Sequence, residues 1–109
     1  MKKQKLDLIF PGTILYEEFM QPLGITAYKL SKDLKVQQIA ISQIIKGSRR
    51  ITVDMALRLS RYFENSPQFW LNLQNFYDLE LEFEKKENLF REITPFKRAK
   101  ENAALYASI

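Results

Sequence analysis

Residues Gly24–Ile51 read GITAYKLSKDLKVQQIAISQIIKGSRRI. Leu30 and Leu34 lie four apart and Ile41 and Ile44 three apart, so each pair lines one face of a helix. Thr26 stands where it can cap a helix over Ala27–Leu34, and a second helix over Gln38–Lys46 would close at Gly47. Lys35 and Val36 form the turn between them, with Val36 directed inward. A turn this tight needs φ > 0, where glycine is cheapest; a lysine there implies strain of roughly 1 kcal/mol or a more open turn. Ser31 falls where the two helices would approach, which calls for a small side chain. The segment is thus either an αα-hairpin of an ordinary bundle or a helix-turn-helix. In a helix-turn-helix the second helix lies in the DNA major groove, with its first residues at base edges.

Charge favours the second possibility. From Gly24 to Tyr62 stand Lys29, Lys32, Lys35, Lys46, Arg49, Arg50, Arg58 and Arg61 against only Asp33 and Asp54. From Phe63 to Phe96 the sign reverses, with Glu64, Asp78, Glu80, Glu82, Glu84, Glu87 and Glu92 against Lys85, Lys86 and Arg91. A basic segment beside an acidic one suits a nucleic-acid face backed by a separate protein-facing or solvent-facing side. The 109 residues, 46% hydrophobic and 28% charged, suffice for one domain with a modest core. The chain has no cysteine and no histidine. The usual zinc sites and Cys- or His-dependent nucleophiles are therefore excluded, and no enzyme, metal or cofactor is expected. No apolar run is long enough to span a bilayer, and MKKQKLDLIF lacks a signal peptide's apolar region, so the expected compartment is the cytoplasm.

Outward from the central stretch, the chain predicts five helices and a less defined tail. Residues 1–10 read as a basic arm. Pro11-Gly12 opens a helix of about Thr13–Gln21, with Leu15 and Phe19 inward, ended by Pro22 and Gly24. Thr52 caps a helix over Val53–Glu64, with Asp54 in its first turn and Met55, Leu59 and Phe63 at spacing four. Ser66-Pro67 starts a fifth helix, which runs to at least Asp78. The run Leu79–Glu84 alternates like a strand, yet Phe76, Leu79, Phe83 and Phe90 also continue the helix. The helix reading is favoured because leucine and glutamate are good helix formers and no turn residue intervenes. This region carries more apolar surface than four short helices can cover, which predicts a two-fold dimer. Trp70, Leu73, Phe76 and Tyr77 are expected to be divided between core and dimer seam.

The FPG at Phe10–Gly12, PLG at Pro22–Gly24, GSRRI at Gly47–Ile51 and FWLNLQNFYDL at Phe69–Leu79 together resemble the HigA antitoxins, also called VapI-like regulators. The resemblance covers about Phe10–Glu80. It implies an all-α fold: a five-helix, lambda-repressor-like helix-turn-helix domain with a C-terminal helical extension. The corresponding boundaries are arm 1–10, domain 11–85 and extension 86–109. It also implies an antitoxin of a type II toxin–antitoxin system, which neutralises a HigB-like mRNA-cleaving toxin and represses its own operon. Phe10 replaces the family's usual histidine, Ser31 its usual alanine, and Ala40 stands where arginine is frequent, which removes a possible DNA contact. A toxin-neutralising module with weak DNA binding, and a stand-alone repressor, remain as alternatives.

On this reading Gln38, Ser42 and Gln43 would meet base edges, since glutamine pairs with adenine through two hydrogen bonds, and Ile39 would meet a thymine methyl. Gln37, Lys46, Ser48, Arg49 and Arg50 would hold phosphates, although one of the two arginines could instead pair with a carboxylate within the fold. The expected partners are a palindromic double-stranded operator, the toxin and a second copy of the chain. The toxin would meet the N-terminal arm with the first helix, or the tail Thr94–Ile109.

Overall fold

A computed structural model describes residues 9–97, which contain five helices and no strand. The first, α1 (residues 11–23), opens on Pro11, whose missing N–H is harmless in a first turn. It is built in three pieces: α-helical Pro11–Ile14, a π-helical Leu15–Met20 and α-helical Gln21–Leu23. The sequence reading ended this helix near Gln21, because Pro22 cannot donate to the carbonyl four residues back and crowds it. The π turn, immediately N-terminal to Gln21 and Pro22, widens the backbone there, and the helix reaches Leu23. Gly24, at φ 66°, then reverses the chain.

The next three helices match their expected starts because each has a hydroxyl or extended residue before its first turn. In α2 (Ala27–Leu34) the Thr26 hydroxyl accepts from Lys29 N–H at 3.1 Å. It ends on Lys35 at φ 61°, with Val36 N–H donating to the Ser31 carbonyl at 3.0 Å. The tight, left-handed turn is thus formed with a lysine in place. Helix α3 (Gln38–Lys46) ends on Gly47 at φ 83°. Helix α4 (Val53–Phe63) is capped by Thr52, which accepts from Met55 N–H at 3.2 Å, and stops on Glu64 at φ 56°. Ser66 caps α5 (Pro67–Arg91), accepting from Phe69 N–H at 3.1 Å. Residues 79–84 are helical, not extended, as favoured; the one irregularity in α5 is Lys86, at φ −121°. None of the helices is long and apolar enough to cross a membrane.

The core gathers Leu15 and Met20 from α1, Leu30 and Leu34 from α2, Ile41 and Ile44 from α3, and Ile51, Met55, Leu59 and Trp70. Each such aliphatic or aromatic side chain contributes about 1.5–3 kcal/mol on burial. Ser31 is buried at the α2–α3 crossing, its hydroxyl satisfied by the Tyr28 carbonyl at 2.7 Å. Trp70 has no exposed surface; its ring packs against Phe19, Phe63 and Phe69, and its N–H donates to Asn65 Oδ1 at 2.9 Å. This corrects its assignment to a dimer seam: the first turn of α5 lies flat on α1 and α4, so Trp70 belongs to the core alone. Beyond Gln74 the helix has no buried residue, and Phe76, Leu79, Phe83 and Phe90 stand exposed. The described chain is accordingly long, 57 Å in its greatest dimension.

Candidate nucleic-acid interface

The inward face of α3 is fixed by Ile41 and Ile44, with Ala40 and Ile45 packed at its margin. That leaves the opposite face to solvent. Gln37 is the extended residue before the helix, and no side chain caps the first turn, so the leading N–H groups of α3 point outward from a helix N-terminus. Gln38 and Ile39 follow, both exposed, while Ser42 and Gln43 are half-buried one turn on. Lys46, Ser48, Arg49 and Arg50 lie exposed at the far end. The structure therefore gathers the expected base-contact and phosphate-contact residues along α3 and its following loop. Ala40 packs against the core instead of facing the groove, so the frequent arginine at its position would have to reach outward from a half-buried site.

The loop after α3 is held at three points. Ser48 donates to the Gln43 carbonyl through its N–H at 2.9 Å and its hydroxyl at 3.3 Å. Arg49 Nε donates to Gln43 Oε1 at 2.9 Å. Arg50 donates to Asp78 Oδ2 on α5 through both terminal nitrogens, at 2.7 and 2.8 Å. Asp78 also accepts from Gln74 Nε2 at 3.0 Å, and the buried Gln74 Oε1 accepts from Ile51 N–H at 2.7 Å. A relay from Arg50 through Asp78 and Gln74 to Ile51 thus ties the basic loop to α5. Of the two arginines it is Arg50 that pairs with a carboxylate. Among the described residues Lys46 has no such acceptor.

Several contacts that position α3 leave no periodic trace in the sequence. Gly12 packs against the backbone of Ile44 and Ile45, so closely that a Cβ there would meet the Ile44 carbonyl oxygen at 1.8 Å. Phe10 lies against Gly47 and, edge-on, against Tyr77 at 5.5 Å between ring centres. Arg58, counted among the cations of the basic segment, is a helix cap. Its Nη1 donates to the Leu34 carbonyl at 2.7 Å while Nε pairs with Asp54 at 2.7 Å. The i,i+4 spacing of Asp54 and Arg58 was the one visible signal of that role. Asp33 accepts from the Tyr62 hydroxyl at 2.5 Å and from Lys29 at 3.0 Å, joining α2 to α4. The tyrosine hydrogen bond first, then the lysine, holds the Asp33 carboxyl below the ordinary aspartate range. The same aspartate pushes Lys29 and Tyr62 upward.

Of the residues assigned to a dimer seam besides Trp70, Leu73 is half-buried against the core and Tyr77 half-buried against Phe10. Phe76 is 65% exposed and stands on the open face of α5.

Two short helices crossed over a small residue, with the second offering its N-terminus and polar face to solvent, form a helix-turn-helix of the DNA-binding type. Residues 17–70 match the helix-turn-helix family model. The chain is 42% identical over 87 residues to virulence-associated protein I of Dichelobacter nodosus, a match spanning 80% of this chain and 81% of that one. It is 35% identical over 79 residues to antitoxin HigA-1 of Vibrio cholerae, spanning 72% and 74% respectively. Its fold superposes with a TM-score of 0.79 on the Pseudomonas aeruginosa antitoxin HigA solved with the higBA promoter. That match, at 38% identity, covers 83% of this chain and 99% of the antitoxin. The chain belongs to the HigA/VapI family of helix-turn-helix antitoxins.

Proposed function

We propose that this protein is the antitoxin of a type II toxin–antitoxin pair, acting in the cytoplasm without catalytic activity of its own. It binds the operator of its own operon as a homodimer and neutralises a HigB-like mRNA-cleaving toxin. The observation that carries the DNA-binding part is the open face of α3, with Gln38 and Ile39 exposed at its start and Lys46 and Arg49 at its end. The likeness in fold to a HigA solved with its promoter supports a DNA-binding role here. Gln38, Ile39, Ser42 and Gln43 then face base edges. The amide of Gln37 and the side chains of Lys46, Ser48, Arg49 and Arg50 hold phosphates, Arg50 from its place beside Asp78. Phe76 and its exposed neighbours on α5 supply the dimer seam, flanked by Leu73 and Tyr77.

Fluorescence anisotropy of the full chain on the DNA upstream of its own gene, with a scrambled duplex as control, tests this. Binding to the upstream duplex alone, weakened roughly fivefold to a hundredfold by Gln38→Ala, is expected. Equal, weak binding to both duplexes would remove operator recognition and leave a toxin-neutralising module. Ala40, half-buried where the family frequently carries an arginine, favours that second reading.

A further inference from the structure

Arg49 and Gln43 change what this recognition helix can read. A free glutamine recognises adenine by accepting from the base amino group and donating to N7. Gln38 has that freedom, with no hydrogen bond to its side chain among the described residues. Gln43 is less free, because one lone pair of its Oε1 already accepts from Arg49 Nε at 2.9 Å, which fixes the amide's orientation. The contact is built in from both sides. The Gln43 carbonyl holds Ser48 through N–H and hydroxyl, and Gly47 at φ 83° turns the chain back so that Arg49 returns to the helix it has just left.

With one of its oxygen's two lone pairs held by a guanidinium, Gln43 offers the outside the two N–H groups of its amide and a single remaining acceptor site. Arg49 adds the N–H groups of its terminal nitrogens and has no acceptor at all. A base amino group brought to this place would meet mostly donors and a guanidinium charge, with one lone pair of Gln43 left to accept it. Guanine presents O6 and N7, two acceptors side by side in the major groove. We propose that Gln43 and Arg49 act as one pre-formed, donor-rich unit, with Gln43 holding the guanidinium in place, that selects guanine in each operator half-site. Gln38 alone is left to read adenine. This assignment rests on the DNA-binding function proposed above, and it makes Arg49 a specificity residue in place of a phosphate clamp.

The test is selection of bound duplexes from a pool with a randomised interior, using the full chain unaltered and as Arg49→Ala, Arg49→Lys and Gln43→Ala. Anisotropy on the selected duplex, with 7-deazaguanine replacing each guanine in turn, follows. The unaltered protein should select guanine at one position per half-site, and 7-deazaguanine there should weaken binding roughly fivefold or more. Arg49→Ala frees the Gln43 oxygen, so preference at that position alone should move toward adenine. Arg49→Lys keeps the charge but lacks the Nε donor, and should show the same move with the salt dependence retained. Gln43→Ala should erase or blunt the preference at that one position. Adenine at that position with the unaltered protein would overturn the proposal. So would Arg49→Ala weakening every sequence alike with guanine retained. A pool that yields no common sequence would overturn operator recognition itself, and the paired reading with it.

Discussion

Gly12 sets the distance between α1 and the recognition helix. A methyl group at this position would lie 1.8 Å from the Ile44 carbonyl oxygen and 2.6 Å from its carbon. Both are backbone atoms and cannot rotate away, so α1 and α3 would have to separate. Gly12→Ala should lower stability by about 1–3 kcal/mol, which in a domain of this size is roughly 5–20 °C in thermal midpoint. Gly24→Ala is the control: it has open space and only the strain of φ 66°, about 1–2 kcal/mol. Thermal unfolding followed by circular dichroism measures both, and an unchanged midpoint in Gly12→Ala would mean that the two helices part freely. At this scale much of the site was hidden in the sequence. Gly12 read only as part of a helix start, because its partner lies 32 positions away and glycine leaves no periodic mark. Trp70 read as shared between core and seam, because periodicity shows that a residue is apolar but not which of two surfaces covers it.

Helices were far more legible than contacts. Thr26, Thr52 and Ser66 each stand before a first turn and accept a hydrogen bond three residues on. Capping is local chemistry, so the sequence carries it. The π turn of α1 and the non-helical Lys86 escaped because both answer to longer stretches of backbone. Between elements, Asp33 joins α2 to α4 through Tyr62 and Lys29. Its carboxyl is more acidic in the fold than in the unfolded chain. The contribution is therefore complete above the ordinary aspartate pKa of about 4 and disappears as the pH falls through the lower folded value. Glu82, held down by Lys86, has the same sign. Lys29 and Tyr62 are raised in the fold, so their contributions vanish only at alkaline pH, as it rises through their folded values. Thermal midpoints measured from pH 7 to pH 3 should fall at the acid end, and Asp33→Asn should flatten part of that fall. Superimposable profiles would show that the α2–α4 link does not contribute.

The whole molecule divides into a packed head and a projecting α5. Phe76, Leu79 and Phe83 are 65%, 69% and 53% exposed, and they fall along one side of the helix. A stripe of this size is unusual on a monomer and suits a self-complementary, two-fold contact. Leu79→Glu should convert a dimer into monomers in light scattering at micromolar concentration, with the head still folded because Leu79 lies outside the core. Operator affinity should fall steeply with it, since two linked heads bind their half-sites with a high effective concentration. A variant that stays dimeric would place the contact elsewhere. The dimer is an expectation from the apolar excess alone; that one of the two arginines could pair with a carboxylate was legible, whereas its partners Asp78 and Gln74 were not. The relay connects a loop and a helix whose only shared feature in the sequence is opposite charge.

Lys35 and Glu64 both close their helices in the left-handed region, at φ 61° and 56°. A side chain there costs about 1–2 kcal/mol, and glycine would give back about 0.5–1 through its freer unfolded chain. The second term offsets about half of the first, so shape exerts only modest pressure on either position. Colour takes over where shape presses lightly: Lys35 adds a cation to the basic side of the domain, and Glu64 begins the acidic one. A lineage carrying this fold can repaint these two corners, and so retune its long-range attraction to polyanions, without rebuilding a single helix.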